Sequence, residues 1–287
     1  MRQPLSWPWW PGVAINPKHR CLQLARPADA QINLHDTNIA YSTAGKGPTV
    51  LLLHGWMCNR TFWQQQIPLL SQTHQVVAPD FRGHGDSSRG PPRLTLAQLV
   101  DDIHNMIDKL SLAPVVLIGH SMGGMVAQLL AVRYGSLFSG MVLVTTIASD
   151  STNRLLSKLI ESNERHIGFR PAFEASFDDW LGTDTESSLA NWIKSEMLRT
   201  DAATALSFVR SYRDFDARSE ISGVSLPTLV VGATADRSAI PKESVELSQL
   251  VPDAELVIIE NSGHFPMLET PKHFSDVVSR FLARHGI

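Results

Sequence analysis

Gly119-His120-Ser121-Met122-Gly123 sets a serine between glycines, with Gly124 next in line. A serine hydroxyl is a weak nucleophile at neutral pH and needs an adjacent base. Histidine titrates in the right range for that role, and a carboxylate must fix its tautomer and stabilise the imidazolium. Two residues late in the chain can fill those places: Asp236 in Ala233-Thr234-Ala235-Asp236, and His264 in Asn261-Ser262-Gly263-His264. The chemistry would be acyl transfer, with Ser121 attacking a carbonyl, and that also needs donors for the tetrahedral oxyanion. The residue after the nucleophile supplies one N–H, here Met122, and an earlier strand-end loop supplies the other. His54-Gly55-Trp56 is that loop, Trp56 is its donor, and its indole is a candidate wall for the acyl pocket. No group of residues has metal-ligand spacing, so neither a metal nor another cofactor is expected.

These residues need elements that bring them together. Pro114-Val115-Val116-Leu117-Ile118 is a short apolar run, as in a strand buried on both faces. A helical pattern follows Ser121, with Met125, Leu129, Leu130 and Val132 as its apolar face. A strand, a glycine-flanked serine and a helix make the setting of a nucleophile elbow. A one-residue reversal there strains the serine backbone and presents its hydroxyl at a helix N-terminus, where N–H groups favour a developing anion. The alternative, a tight glycine turn that happens to contain serine, does not account for the flanking elements.

The rest of the chain repeats the strand-and-helix rhythm. Residues 21–43 read as two strands around a turn at 35–38, and Thr49–Leu53 as a buried strand before His54. A helix is expected over 61–71, a strand over 75–80, and a helix over 95–110 from Leu96, Leu99, Ile103, Ile107 and Leu110. Further strands are expected at 141–144, 226–232 and 254–259, with helices at 241–250 and 271–285. Strand patterns vanish over 147–222, which reads as a helical cap insertion carrying Trp180 and Trp192. The core is then 21–146 and 223–287, a mostly parallel sheet covered by helices, with an antiparallel hairpin at one edge. Ligands bind such sheets beyond the carboxyl ends of the strands. His54, Ser121, Asp236 and His264 all follow a predicted strand end.

Competing residues have other readings. Asp150, past the preceding strand, is the alternative acid, but Asp236 stands directly at a strand end. His54 is expected to shape its loop through hydrogen bonds, His84 to be structural, and His120 to point away from substrate. Asp80 and Asp86 are expected to brace the loop that contains Arg82. Residues 1–20 hold Trp7, Trp9 and Trp10 among Pro4, Pro8 and Pro11, which rules out a helix there. They read as an arm with its indoles laid on the body. The alternative is an exposed aromatic segment at a homodimer contact, a membrane surface or the active-site mouth.

A net charge of −3 leaves no basic footprint for nucleic acid. Two cysteines, Cys21 and Cys58, make no disulfide framework and fit a reducing compartment. No window has the apolar length of a membrane span, and prolines interrupt the N-terminal residues where a signal peptide needs an apolar core. The expectation is a cytoplasmic protein.

Four motifs in order, HGW at 54–56, DFRGHGDS at 80–87, GHSMGG at 119–124 and SGHFPMLETP at 262–271, resemble the α/β-hydrolase superfamily from about residue 30 onward. The resemblance implies the α/β-hydrolase fold, the order Ser121, Asp236, His264 for a triad, and Trp56 and Met122 for the oxyanion hole. It is similar to the single-domain branch with a helical cap, which includes carboxylesterases, cofactor-free haloperoxidase-like perhydrolases, enol-lactonases and carbon–carbon bond hydrolases. Epoxide hydrolases and haloalkane dehalogenases share the DxRGxGxS turn but use an aspartate where this chain has Ser121. Carbon–carbon hydrolases carry a more glycine-rich oxyanion loop and a tryptophan where this chain has Phe265. The expected substrate is a small-molecule carboxylic ester. The rivals are perhydrolysis, lactone opening or carbon–carbon cleavage on the same triad, and a ligand receptor with slow or no turnover.

Overall fold

The computed structural model describes residues 27–91, 94–149, 168–212 and 215–287. The tryptophan-rich arm, Cys21, Asp150 and residues 151–167 of the expected cap lie outside the described residues.

Eight strands form one sheet: β1 Ala28–Leu34, β2 Thr37–Ala44, β3 Thr49–Leu53, β4 Gln75–Pro79, β5 Val115–His120, β6 Phe138–Val144, β7 Thr228–Ala233 and β8 Glu255–Ile259. Their order is β1-β2-β4-β3-β5-β6-β7-β8. The β1–β2 hairpin and the β2–β4 pair are antiparallel. All remaining pairs are parallel. This is the mostly parallel α/β-hydrolase sheet with an antiparallel edge. Every residue of β3, β5 and β7 is buried. Such strands need cover on both faces, which is why they read as unbroken apolar runs.

The long helices are α1 Leu96–Lys109, α2 Met122–Tyr134, α3 Phe169–Ser176, α4 Ser187–Met197, α5 Ala202–Tyr212, α6 Pro241–Leu250 and α7 Pro271–His285. Thr95 and Gln98 form a reciprocal capping box that fixes the start of α1. Its buried side is Leu96, Leu99, Val100, Ile103, Met106 and Ile107, at helical spacing.

Three expectations change. The hairpin turn is only His35-Asp36, because the ladder runs on to Leu34–Thr37. The helix expected over 61–71 is two short pieces, Arg60–Trp63 and Ile67–Leu70. Pro68 lacks the N–H that a continuous helix would use. Helix α2 has no single apolar face. It is buried over Met122–Gln128 and at Leu130 and Ala131, while Leu129 and Val132 are only half-buried. It lies under β5 and β6 with α1 beside it, so little of its circumference meets water.

Between β6 and β7 the described residues from Phe169 to Ile221 form short helices joined by turns. A bridge between Ser149 and Asp216 pairs the two ends of this segment. Phe169, Phe173, Phe177, Trp180, Ile193 and Met197 are buried within it.

Candidate active site

The reversal after β5 is as tight as the glycines suggest. Ser121 has φ 52° and ψ −117°, outside the regions open to an ordinary L-residue. Its N–H donates to Val144 O at 2.9 Å, and its carbonyl accepts from Gly124 N at 2.8 Å and from the Thr146 hydroxyl at 2.7 Å. Those bonds hold the strained backbone in place. A Cβ on Gly123 would collide with the Leu53 carbonyl, so glycine there lets α2 press against the end of β3.

His264 follows β8 and Asp236 follows β7. His264 Nδ1 stands 2.8 Å from Asp236 Oδ2, and both residues are buried. That bond places the ring proton on Nδ1 and leaves Nε2 free to accept. The other Asp236 oxygen accepts from the N–H groups of Ser238 and Ala239, at 2.8 and 3.1 Å. The carboxylate is thereby aimed from its own turn.

Ser121 and His264 line one cavity of about 30 Å³. That is room for a water or two. Trp56, Cys58, Met125, Ala239 and Phe265 wall it from the sheet side; Ile147, Trp180, Met197 and Tyr212 wall it from the segment between β6 and β7. Met122 is the first residue of α2, so its N–H has no carbonyl one turn back. Gly55 brings the loop after β3 against the elbow: a Cβ there would lie 3.3 Å from Ser121 Cβ and 2.6 Å from His120 Nδ1. The Trp56 indole N–H donates to Ala205 O at 2.9 Å, which fixes that ring as a wall.

The alpha/beta hydrolase family model matches residues 50–276. The chain belongs to the alpha/beta hydrolase family. This family member is 25% identical over 267 residues to a pimeloyl-[acyl-carrier protein] methyl ester esterase of Aeromonas hydrophila, covering 85% of this chain and 99% of that protein. Among solved structures it resembles the enol-lactonase from Burkholderia xenovorans LB400, with a TM-score of 0.81 and 25% identity over 88% of this chain and 100% of the other. It resembles equally a thermophilic esterase from Thermogutta terrifontis, with a TM-score of 0.81 and 25% identity over 91% of this chain and 99% of that one.

Three histidines of this hydrolase serve the loops. His54 Nδ1–H donates to Gly55 O at 2.7 Å, and its Nε2 accepts from Phe81 N at 2.9 Å. His84 Nδ1–H donates to Arg82 O at 3.1 Å. His120 borders the cavity, but its Nε2–H donates to the His264 carbonyl at 2.8 Å. Burial drives His54 and His120 well below the ordinary imidazole value and His84 to about 4. Neutral rings with no proton to gain suit positioning rather than proton transfer.

Asp80 and Asp86 brace the 80–87 loop, as expected, and do so through a cation outside it. Asp80 and Asp86 pair with Arg60, not Arg82. Asp80 also accepts from the N–H groups of Arg60 and Asp86, at 2.7 and 2.8 Å. Burial raises Asp80 to about 6 against the pull of Arg60. Arg82 instead forks onto Asp102 at 2.5 and 2.6 Å and reaches Asp36 at 3.1 Å. Arg60 was missed because nothing near it in sequence marks it as buried; its partners are 20 and 26 residues away. Thr145, Met197, Tyr212 and Glu269 were missed as well. Glu269 alone carried a signal, since it lies inside the SGHFPMLETP motif.

Proposed function

We propose that the protein is a serine hydrolase that cleaves carboxylic esters. Ser121 Oγ attacks the ester carbonyl while His264 Nε2 takes its proton and Asp236 stabilises the imidazolium through Nδ1–H. The N–H groups of Trp56 and Met122 receive the oxyanion of the tetrahedral intermediate. His264 then gives its proton to the leaving alcohol, and water, deprotonated by the same imidazole, releases the acid from Ser121. The observation that carries this reading is that a strained Ser121 and an Asp236-bonded His264 line one cavity.

Residues 147–222 act as a cap that controls access and acyl selectivity, since Trp180, Met197 and Tyr212 close the cavity over Ser121. Movement of such a cap is the ordinary way to admit substrate to a covered site. Among the described residues the cavity wall carries no Lys or Arg, which favours esters with an uncharged acyl group over those bearing a carboxylate. The test is a p-nitrophenyl ester series of graded acyl length, run with wild type and Ser121→Ala. Serine-dependent turnover of neutral esters is expected. Absence of turnover across the series, with ligand binding intact, would favour a receptor instead.

A further inference from the structure

The His264 main chain is gripped from two sides. Its carbonyl accepts from the core, from His120 Nε2–H at 2.8 Å and the Thr145 hydroxyl at 3.0 Å. Its N–H donates to Trp180 O, in the cap, at 2.6 Å. Glu269 adds a second layer. One carboxylate oxygen accepts from Phe265 N at 2.9 Å; the other accepts from Gly263 N at 3.1 Å, Gly182 N at 2.6 Å and the Thr185 hydroxyl at 2.7 Å.

A glutamate at this place could simply cap its own short helix, Pro266–Glu269. The bond to Phe265 N fits that role. The other three do not, because their donors all lie outside that helix. Two belong to the residues that flank His264, counting Phe265, and two belong to the cap. The seam is also built for close contact: a Cβ on Gly263 would strike Trp180 O, with Gly182 N 2.5 Å away.

We propose that Glu269 is a positioning residue that couples the docked cap to the productive placement of His264. This rests on the reading of His264 as the base. Lifting the cap at 180–185 removes Trp180 O from His264 N and strips two of the four donors from the carboxylate that orients Gly263 and Phe265. Base geometry and cap docking are then one state, and chemistry proceeds only under the closed cap.

The test uses Glu269→Gln and Thr185→Val in the full chain. A carboxamide offers one acceptor and turns an N–H toward a second donor, so Glu269→Gln misplaces the base. The expected result is a kcat lower by about 10- to 100-fold, the scale of an ångström-level misplacement, with KM little changed. The downfield proton resonance of His264 Nδ1–H should broaden. Thr185→Val removes one cap-side bond and is expected to lower kcat roughly threefold, the scale of one hydrogen bond. In the double variant the two effects should not multiply, because both act through one carboxylate. A Glu269→Gln protein that melts earlier but keeps kcat and the proton resonance overturns the proposal, as do multiplying effects. If Glu269→Gln does not fold, Thr185→Val decides alone, and an unchanged kcat overturns it. Failure of the underlying reading looks different: His264→Ala and Ser121→Ala would then both keep their turnover.

Discussion

His54, His84 and His120 bond main-chain groups at or just past the strand ends of a sheet whose β3, β5 and β7 are buried throughout. Trp180, Met197 and Tyr212 reach the cavity at Ser121 from a helical segment whose interior is rich in aromatic side chains. Trp180 packs against Trp56 and Phe173 at ring separations of 5.9 and 5.6 Å. The first region is held by directional bonds that tolerate little displacement. The second is held mainly by apolar contact, which is non-directional and adapts to substitution at conserved volume. Reaction chemistry belongs on the first kind of support and selectivity on the second. The Glu269 seam gives the helical segment the same directional bonding at Gly182 and Thr185.

The largest effect should come from breaking the rigid side. Ser121→Ala is expected to lower turnover by roughly 10⁴- to 10⁶-fold, as in other triad deletions, with little change in melting temperature. Ester turnover above a tenth of normal in that variant would sink the mechanism.

Asp236→Asn follows, with a loss of about 10⁴-fold in kcat because the His264 ring is then free to take the wrong tautomer. Asp150→Asn should leave turnover near normal, and the opposite pattern, read from kcat on one short ester, moves the acid to Asp150.

The adaptable side should respond in selectivity instead. Met197→Ala opens space over Ser121, so the kcat/KM ratio of long to short acyl esters is expected to rise by about 10-fold or more for each methylene newly accommodated. Labelling by a small serine phosphonylating reagent should barely change. Equal changes for all esters and for the reagent would mean that Met197 supports the chemistry, and the contrast between the regions would fail.

The smallest effect concerns pH. His54, His84 and His120 have folded values below the unfolded 6.5, so the unfolded chain binds protons first and stability falls as pH drops through that value. From pH 7 to 6 the three together should cost about 2 kcal/mol. Asp80, raised to about 6, works the other way, because the folded state takes its proton first and gains stability as pH falls through 6. One such group offsets only part of three. Urea melts at the two pH values check the sign, and a His84→Gln variant should show a shallower slope. A stability that holds or rises toward pH 6 would show that these loops carry charged histidines.

The local parts of this protein were legible in its sequence. Glycine around Ser121, apolar runs for β3, β5 and β7, and helical spacing in α1 are properties of neighbouring residues, and they decide backbone conformation directly. They also place Ser121, Asp236 and His264 at strand ends, because a parallel sheet puts those ends on one side. Only the tertiary structure decided what lies between distant segments. Arg60 with Asp80 and Asp86, Trp180 O on His264 N, and Glu269 on Gly182 and Thr185 depend on how residues 84 to 87 positions apart, or on different loops, come to rest. Such contacts follow from packing, which is set by the shapes of many side chains at once and leaves no period or motif to read. The size of the cavity over Ser121 is of the same kind: it is the space left when the helical segment settles on the strand ends.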